Sequence, residues 1–516
     1  MDVGRVNGRE RAVLGASGME GAESGVVNTG TWLDVMRSRT LLTKEVLAGV
    51  VTSLALVPEV ISFSFISGVD PRSALFASVV LLLVTSIFGG RSAMVTAAAG
   101  SVALVVGPMV HAHGAQYILP AVLLGGVIQI AFGALGLAKL ARFIPRSVMV
   151  GFVNALGILI FCAQIPHLIH KPLAVYALFA VTIVIMLGMP RITKAIPSAL
   201  VAIVAATLAA SLGHLSVPTV GANQAADAGL IGWTQWDVPF DLETLSTVWR
   251  TSISIALVGL LESLLTAKLV DDITETRSSK SRESWALGLA NICAGLYGGI
   301  AGCAMIGQTV VNVGIGGARS RVSTVAAALS LLILLTGLSA VMSAIPVVSL
   351  AAVMMIVAIK TADWHSVRPA TLLRMPWMET SVMLLTVALT VYSGNLALGV
   401  ICGSALALLW FARRAAGVIK TDRWCSDDGA TAYYAVRGPL FFGSSNELAE
   451  RFHYAGDPSD VKIDLSAAHV LDASTVAALD SIRLKYAKLG IKAEFHGLDE
   501  LSQRFHARLS GQLNVS

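Results

Sequence analysis

Residues 253–270 read ISIALVGLLESLLTAKLV. At 1.5 Å per helical residue the stretch is apolar for nearly long enough to cross the roughly 30 Å hydrocarbon core of a bilayer. One carboxylate, Glu262, sits in its middle, with Thr266 a turn later on the same helical face. A charged group is costly in lipid, so this is read as a helix of a bundle that turns Glu262 toward a protein interior and a ligand path. The plainer alternative is a carboxylate that only bonds neighbouring helices. Two chemical uses suit the residue: holding Na⁺ together with Thr266 and freed backbone carbonyls, or carrying a proton. Lys268, six positions on, reads as a snorkelling side chain.

The remainder of the chain has the same character. Its 516 residues are 55% hydrophobic and 13% charged, against about 25% charged in a soluble protein. Apolar stretches are placed at 44–66, 71–89, 94–110, 116–138, 146–165, 172–189, 194–213, 247–270, 284–299, 303–315, 322–340, 345–360, 377–393 and 395–412. Fourteen crossings put both termini on one side. Of the Lys and Arg in the short loops, 17 fall on that side, among them Arg91, Arg146, Lys194, Arg277, Arg319 and Arg413, and only Arg72 and Lys171 stand opposite. That bias makes the termini cytoplasmic and the location the cytoplasmic membrane. The loop 214–246 lacks basic residues and divides the segments seven and seven, which forces the halves into opposite orientations.

The third and tenth segments are short and rich in small residues. Short interrupted segments place helix N-termini at mid-membrane, where free N–H groups suit an anion. The candidate anion-binding residues are Thr96, Gly100 and Ser101 in one, and Ala304, Met305, Ile306 and Gln308 in the other, with Asn312 a weaker candidate. A small-residue packing face explains the first group almost as well, and Gln308 serves an oxyanion or another helix equally. Pro58-Glu59 interrupts the first segment. Proline removes a backbone donor, so the pair is read as a gate or cavity element, or only a kink, with Glu59 a less favoured ligand.

Other classes fall away. Five cysteines do not make a disulfide scaffold, and no histidine forms a metal-ligand pattern. No phosphate-binding glycine loop points to ATP hydrolysis, and no nucleophile–base set points to an enzyme. The scattered basic residues give no nucleic-acid groove. Residues 1–43 read as a disordered cytoplasmic tail without a signal peptide. Beyond a linker at 413–429, residues 430–516 hold 19 of the 69 charges and alternate strand and helix, so they form a small cytoplasmic α/β domain. Ser474 lies at or near the N-cap of its longer helix, a capping position where a regulatory phosphate would also be favoured.

Three stretches carry a family resemblance: VPEVISFSFISGVDPRSALFAS from residue 57, LVGLLESLLTAKLVDD from 257 and GGIAGCAMIGQTVVNVGIGG from 298. The chain resembles the sulfate permease (SulP) family of anion transporters, and VKIDLSAAHVLDASTVAALD from 461 resembles its STAS domain. The resemblance implies an all-α domain of fourteen segments in two inverted seven-segment repeats (about 44–213 and 247–412). A core domain would move against a gate, usually in a homodimer, with substrate between the third and tenth half-helices. In the sodium-coupled bicarbonate branch an acid and a threonine of the eighth helix hold Na⁺; here these fall on Glu262 and Thr266. The chain departs at Thr96-Ala97, where many members have Gly-Pro, at Gln308, where many have Arg, and at Ile306, near a position that often supplies a threonine hydroxyl. Losing the Arg removes a fixed positive charge, which leans from sulfate toward bicarbonate or another small anion. The expected function is secondary active transport of such an anion, coupled to Na⁺ or H⁺, with no cofactor beyond that ion. A cytoplasmic protein partner through the STAS domain is also expected. Rival readings are a nucleobase permease of the same fold, an anion channel, and a STAS-linked sensor.

Overall fold

The computed structural model describes residues 32–192, 197–223, 237–239, 241–337, 339–498 and 503. The start of the expected N-terminal tail, the first residues of the 194–213 segment, much of the 214–246 loop and nearly all of the end of the expected α/β domain, from 499 on, lie outside the described residues.

Among the described residues, fourteen helices of ten residues or more occupy the part expected in the membrane: α1 Arg39–Ser67, α2 Pro71–Phe88, α3 Gly100–His113, α4 Ile118–Ala134, α5 Arg146–Gln164, α6 Leu173–Ile192, α7 Ser198–Leu212, α8 Leu242–Thr274, α9 Lys280–Leu296, α10 Ile306–Ile315, α11 Arg321–Gly337, α12 Val347–Thr361, α13 Trp377–Ser393 and α14 Leu396–Ala416. Among the described residues, seven helical spans, containing α1, α2, α4, α5, α6, α8 and α14, are long and apolar enough to cross a membrane; α7, α10, α11 and α12 are shorter apolar helices. The chain is a multi-pass membrane protein. Local chemistry sets several boundaries. Asp70 accepts the Arg72 N–H at 2.7 Å and Asp241 that of Thr244 at 2.8 Å, capping α2 and α8. Gly68 ends α1 at φ +71°, a conformation that favours glycine.

The third and tenth segments are not helical throughout. Each begins as a three-residue strand, β1 Thr96–Ala98 and β2 Gly302–Ala304, and these pair antiparallel with Thr96 opposite Ala304 and Ala98 opposite Gly302. The helices α3 and α10 follow directly. α10 loosens to a π-helix over Val311–Ile315.

The described chain divides into two compact units. One comprises residues up to 138 and 171–353, the other 139–170 and 354 onward. In the first, α4 packs on α8 and α9, α11 on α1 and α2, and α3 on α1 and α8. In the second, α13 packs on α5 and α14.

The second unit also contains a four-stranded sheet in the order β3-β4-β5-β6: Lys420–Cys425, Thr431–Leu440, Asp460–Val470 and Lys492–His496. β3 runs antiparallel to β4, and β5 and β6 are parallel to their neighbours. β3 lies in the stretch read as a linker. Its side chains are largely exposed, so it lacks the apolar alternation that marks a half-buried strand, and the sheet begins earlier than composition suggests. β5 alternates buried and exposed residues, and with α15 (Ala473–Lys488) it closes a core of Tyr434, Ile463, Leu465, Leu479, Ile482 and Tyr486.

Candidate functional site

The β1–β2 pair is held from all sides by small polar side chains. Ser78 of α2 accepts the Ala98 N–H at 3.1 Å, Ser263 of α8 that of Ala304 at 2.9 Å, and Thr309 of α10 that of Val95 at 3.0 Å. Asn291 of α9 bonds both backbone groups of Gly302, accepting its N–H at 2.8 Å and donating to its carbonyl at 3.3 Å. Asn291 also donates to Gln129 of α4 at 2.8 Å. Backbone groups that such short strands would leave orphaned in the membrane thereby find partners.

Out of this pair rise two helix N-termini. Neither N-cap residue, Ala99 for α3 or Met305 for α10, provides a side-chain acceptor. The first N–H groups of both helices are therefore free of side-chain caps, and both carry the positive end of a helix dipole. Gly100 and Ser101 are the first residues of α3. Ile306, half-buried, opens α10, and the buried Gln308 follows. A Cβ on Gly307 would meet nothing within 4 Å, so the first turn of α10 borders open space. Thr96 lies in β1, and its Oγ1 is buried without a hydrogen-bond partner among the described residues.

Glu262 is buried in α8 at 8% exposure. Its Oε2 accepts from Ser101 Oγ and, at 3.0 Å, from Cys303 Sγ of β2. Thr266 is fully buried, and its hydroxyl bonds the main-chain carbonyls of Glu262 at 2.8 Å and Ala304 at 3.0 Å. These two α8 residues thus reach different parts of the paired-strand motif, joined through backbone and not by a bond between their side chains. Lys268 is exposed.

Glu59, half-buried in α1, lies beside Gln308, so two residues read separately in the sequence meet. Pro58 lines an apolar cavity of about 190 Å³ with Leu54, Val57, Ile203, Leu334 and Met342. At α15 the N-cap is Asp472, which accepts the Thr475 N–H at 2.9 Å; Ser474 is an exposed first-turn residue and not the cap. The aspartate two positions earlier already fills the capping role.

Cys303, Ser78, Ser263, Asn291 and Gln129 are not singled out by the sequence. The signal available was a polar side chain at a helix position otherwise surrounded by Ala, Gly and Leu. Only the fold shows that these converge on the two strands.

A sulfate permease family model matches residues 42–172 and 168–386, and a STAS domain model matches 427–506. The chain belongs to the sulfate permease family. This family member is 44% identical over 460 residues to the putative sulfate transporter YbaR of Bacillus subtilis, covering 89% of this chain and 95% of that one. It is 23% identical over 495 residues to the bicarbonate transporter BicA of Picosynechococcus, covering 85% of each. Among solved structures it resembles the murine solute carrier 26 family member A9 anion transporter in the inward-facing state. That match has a TM-score of 0.80 at 16% identity and covers 92% of this chain and 89% of the other. At that identity the likeness is one of fold. This sulfate permease family member is thus a transporter by family, with a polytopic α-helical membrane domain and a STAS domain.

Proposed function

We propose that this protein is a secondary transporter of a small inorganic anion of the sulfate or bicarbonate class, with the anion held at the starts of α3 and α10. The supporting observation is the pair of helix N-termini, uncapped by side chains, that leave the antiparallel β1–β2 pair beside a buried carboxylate. Free N–H groups and two dipole ends attract an anion without a dedicated cation, which suits a site whose Gln308 is uncharged. Thr96, Gly100, Ser101, Ala304, Met305, Ile306 and Gln308 form the cradle. Glu262 is the coupling group. Its bonded side chains are neutral, and an ionised carboxylate at this depth gains from a cation, whether Na⁺ or a proton. Thr266 and the Ala304 carbonyl, bonded to each other at 3.0 Å, supply further oxygens for Na⁺. Glu59, through Gln308, links α1 to the cradle, as a gate would.

The reading includes fourteen crossings in two inverted repeats of seven, both termini in the cytoplasm, and alternating movement of a core against a gate. A homodimer and a regulatory STAS domain complete it. The test is uptake of labelled bicarbonate and labelled sulfate into proteoliposomes, with and without an inward Na⁺ gradient, for the unaltered protein and Glu262→Gln. Na⁺-driven bicarbonate uptake lost in the variant is expected. Sulfate uptake indifferent to Na⁺ would remove the Na⁺ site and leave proton coupling. Uptake of neither anion would overturn the proposal.

A further inference from the structure

Among the described residues, both hydrogen bonds to the Glu262 carboxylate end on the same oxygen. Ser101 Oγ and Cys303 Sγ donate to Oε2 and lie 3.6 Å from each other, while Oε1 takes neither. The two donors come from the two different halves of the chain. Ser101 is in the first turn of α3, directly after β1, and Cys303 is the middle residue of β2, paired with Ala97. Their neighbours show what packing alone requires here. Ala97, Ala98, Ala99 and Ala304 are all buried, so a methyl group fills these positions well. A hydroxyl and a thiol add only their ability to donate, and both donate to one carboxylate oxygen. Two donors on one oxygen fix the carboxylate plane, and the second oxygen is thereby aimed without sharing either donor.

We infer that Ser101 and Cys303 are positioning residues for Glu262, which hold Oε2 so that Oε1 is left to the coupling cation. The clasp also ties the orientation of the carboxylate to the β1–β2 pairing, so a shift of either half-helix is felt at the cation. This inference rests on the reading of Glu262 as the coupling group.

The thiol gives a direct readout, because its S–H stretch falls where other protein groups do not absorb in the infrared. In the full-length protein in vesicles, the difference spectrum against Cys303→Ala isolates the band of this one thiol. It should lie at the position of a strongly donating S–H and move toward the free thiol in Glu262→Gln, whose neutral amide accepts more weakly. A band unmoved by that change overturns the positioning role. In transport, Cys303→Ala and Ser101→Ala should each raise the half-saturating Na⁺ concentration, or that of the anion if uptake ignores Na⁺, by about tenfold, the size of a lost hydrogen bond to a charged group. Cys303→Ser keeps a donor and should restore it. Serine and alanine failing alike, or a fall in maximal rate alone, would mark a merely structural role and overturn the inference. Absence of uptake by the unaltered protein overturns the transport reading and the cation role of Oε1, whereas an unmoved thiol band overturns the clasp by itself.

Discussion

At the scale of single residues, the candidate site depends on atoms that are missing as much as on those present. A Cβ at position 302 would stand 2.2 Å from the Ala97 carbonyl oxygen, which belongs to the backbone and has nowhere to move. A Cβ at position 100 would stand 2.5 Å from the ring of Phe63. Gly307, by contrast, faces open space at the start of α10. Gly302→Ala should therefore part β2 from β1 and lower uptake by ~100-fold, the usual cost of displacing a reacting or binding group by about 1 Å. Gly307→Ala should leave the melting temperature in detergent within about 4 °C of the unaltered protein, as an added methyl meets no neighbour. Equal loss of stability in both would mean that the start of α10 is packed as tightly as β2.

At the scale of elements, the joints are polar and specific. The carbonyls that end α2 are covered by two arginines: Arg321 donates to Ser86, Ile87 and Gly89, and Arg282 to Phe88. These cations close a helix C-terminus, where positive charge is favoured. In the STAS domain, Asp457 accepts from the Tyr434 and Tyr486 hydroxyls, each at 2.6 Å, and pairs with Arg423 of β3 at 2.8 Å. This one carboxylate fastens the edge strand to the core. Asp457→Ala should lower the unfolding free energy of the STAS domain by about 3 kcal/mol, because it strands two buried hydroxyls and an arginine; urea denaturation of the full chain followed by limited proteolysis of β3 reads it. Burial of the same cluster pushes the Tyr454 hydroxyl up to about 12, and burial together with the bond to Asp457 raises Tyr434 and Tyr486 as well. The folded values lie above the unfolded one of about 10. A proton is therefore held more tightly in the folded state. This penalises ionisation, so unfolding becomes easier as pH climbs above about 10 and through the folded values. Of the eight tyrosines, these three should ionise late in an alkaline absorbance titration, and with the others once urea is added.

At the scale of the molecule, the helices can be organised only by the bilayer. Many large apolar side chains are exposed, among them Leu173, Leu212, Ile333, Leu409 and Phe411, all on apolar helices. In water such a surface would aggregate; in lipid it is the outer face. The orientation proposed for that surface predicts the outcome of reporter fusions. Alkaline phosphatase joined within residues 214–246 should be active, and the same reporter joined after residue 516 inactive. A fluorescent protein folded in the cytoplasm should give the reverse. An active phosphatase at both sites would mean an even number of crossings after residue 246 and would break the symmetry of seven and seven.

Hydropathy, charge asymmetry and residue size are local or cumulative properties, and so they are legible in the chain itself. They locate the apolar stretches, the charged tail domain, the short third and tenth segments and the isolated Glu262, because each follows from the cost of placing a given side chain in lipid or in water. Which groups meet is a different matter. Ser101 and Cys303 are 202 positions apart, Glu59 and Gln308 lie on separate helices of opposite halves, and Asn291 reaches Gly302 only because a helix turns back beside a strand. The strand character of β1 and β2 is not visible either, since three small residues have little preference of their own and become extended only by pairing with each other. β3 escapes notice for a related reason, as an exposed edge strand is recognised by its neighbour and not by its composition. The chain thus specifies its solvent and the cost of its buried carboxylate; the tertiary structure alone decides what that carboxylate is bonded to, because hydrogen bonds are made in space between residues that sequence holds far apart.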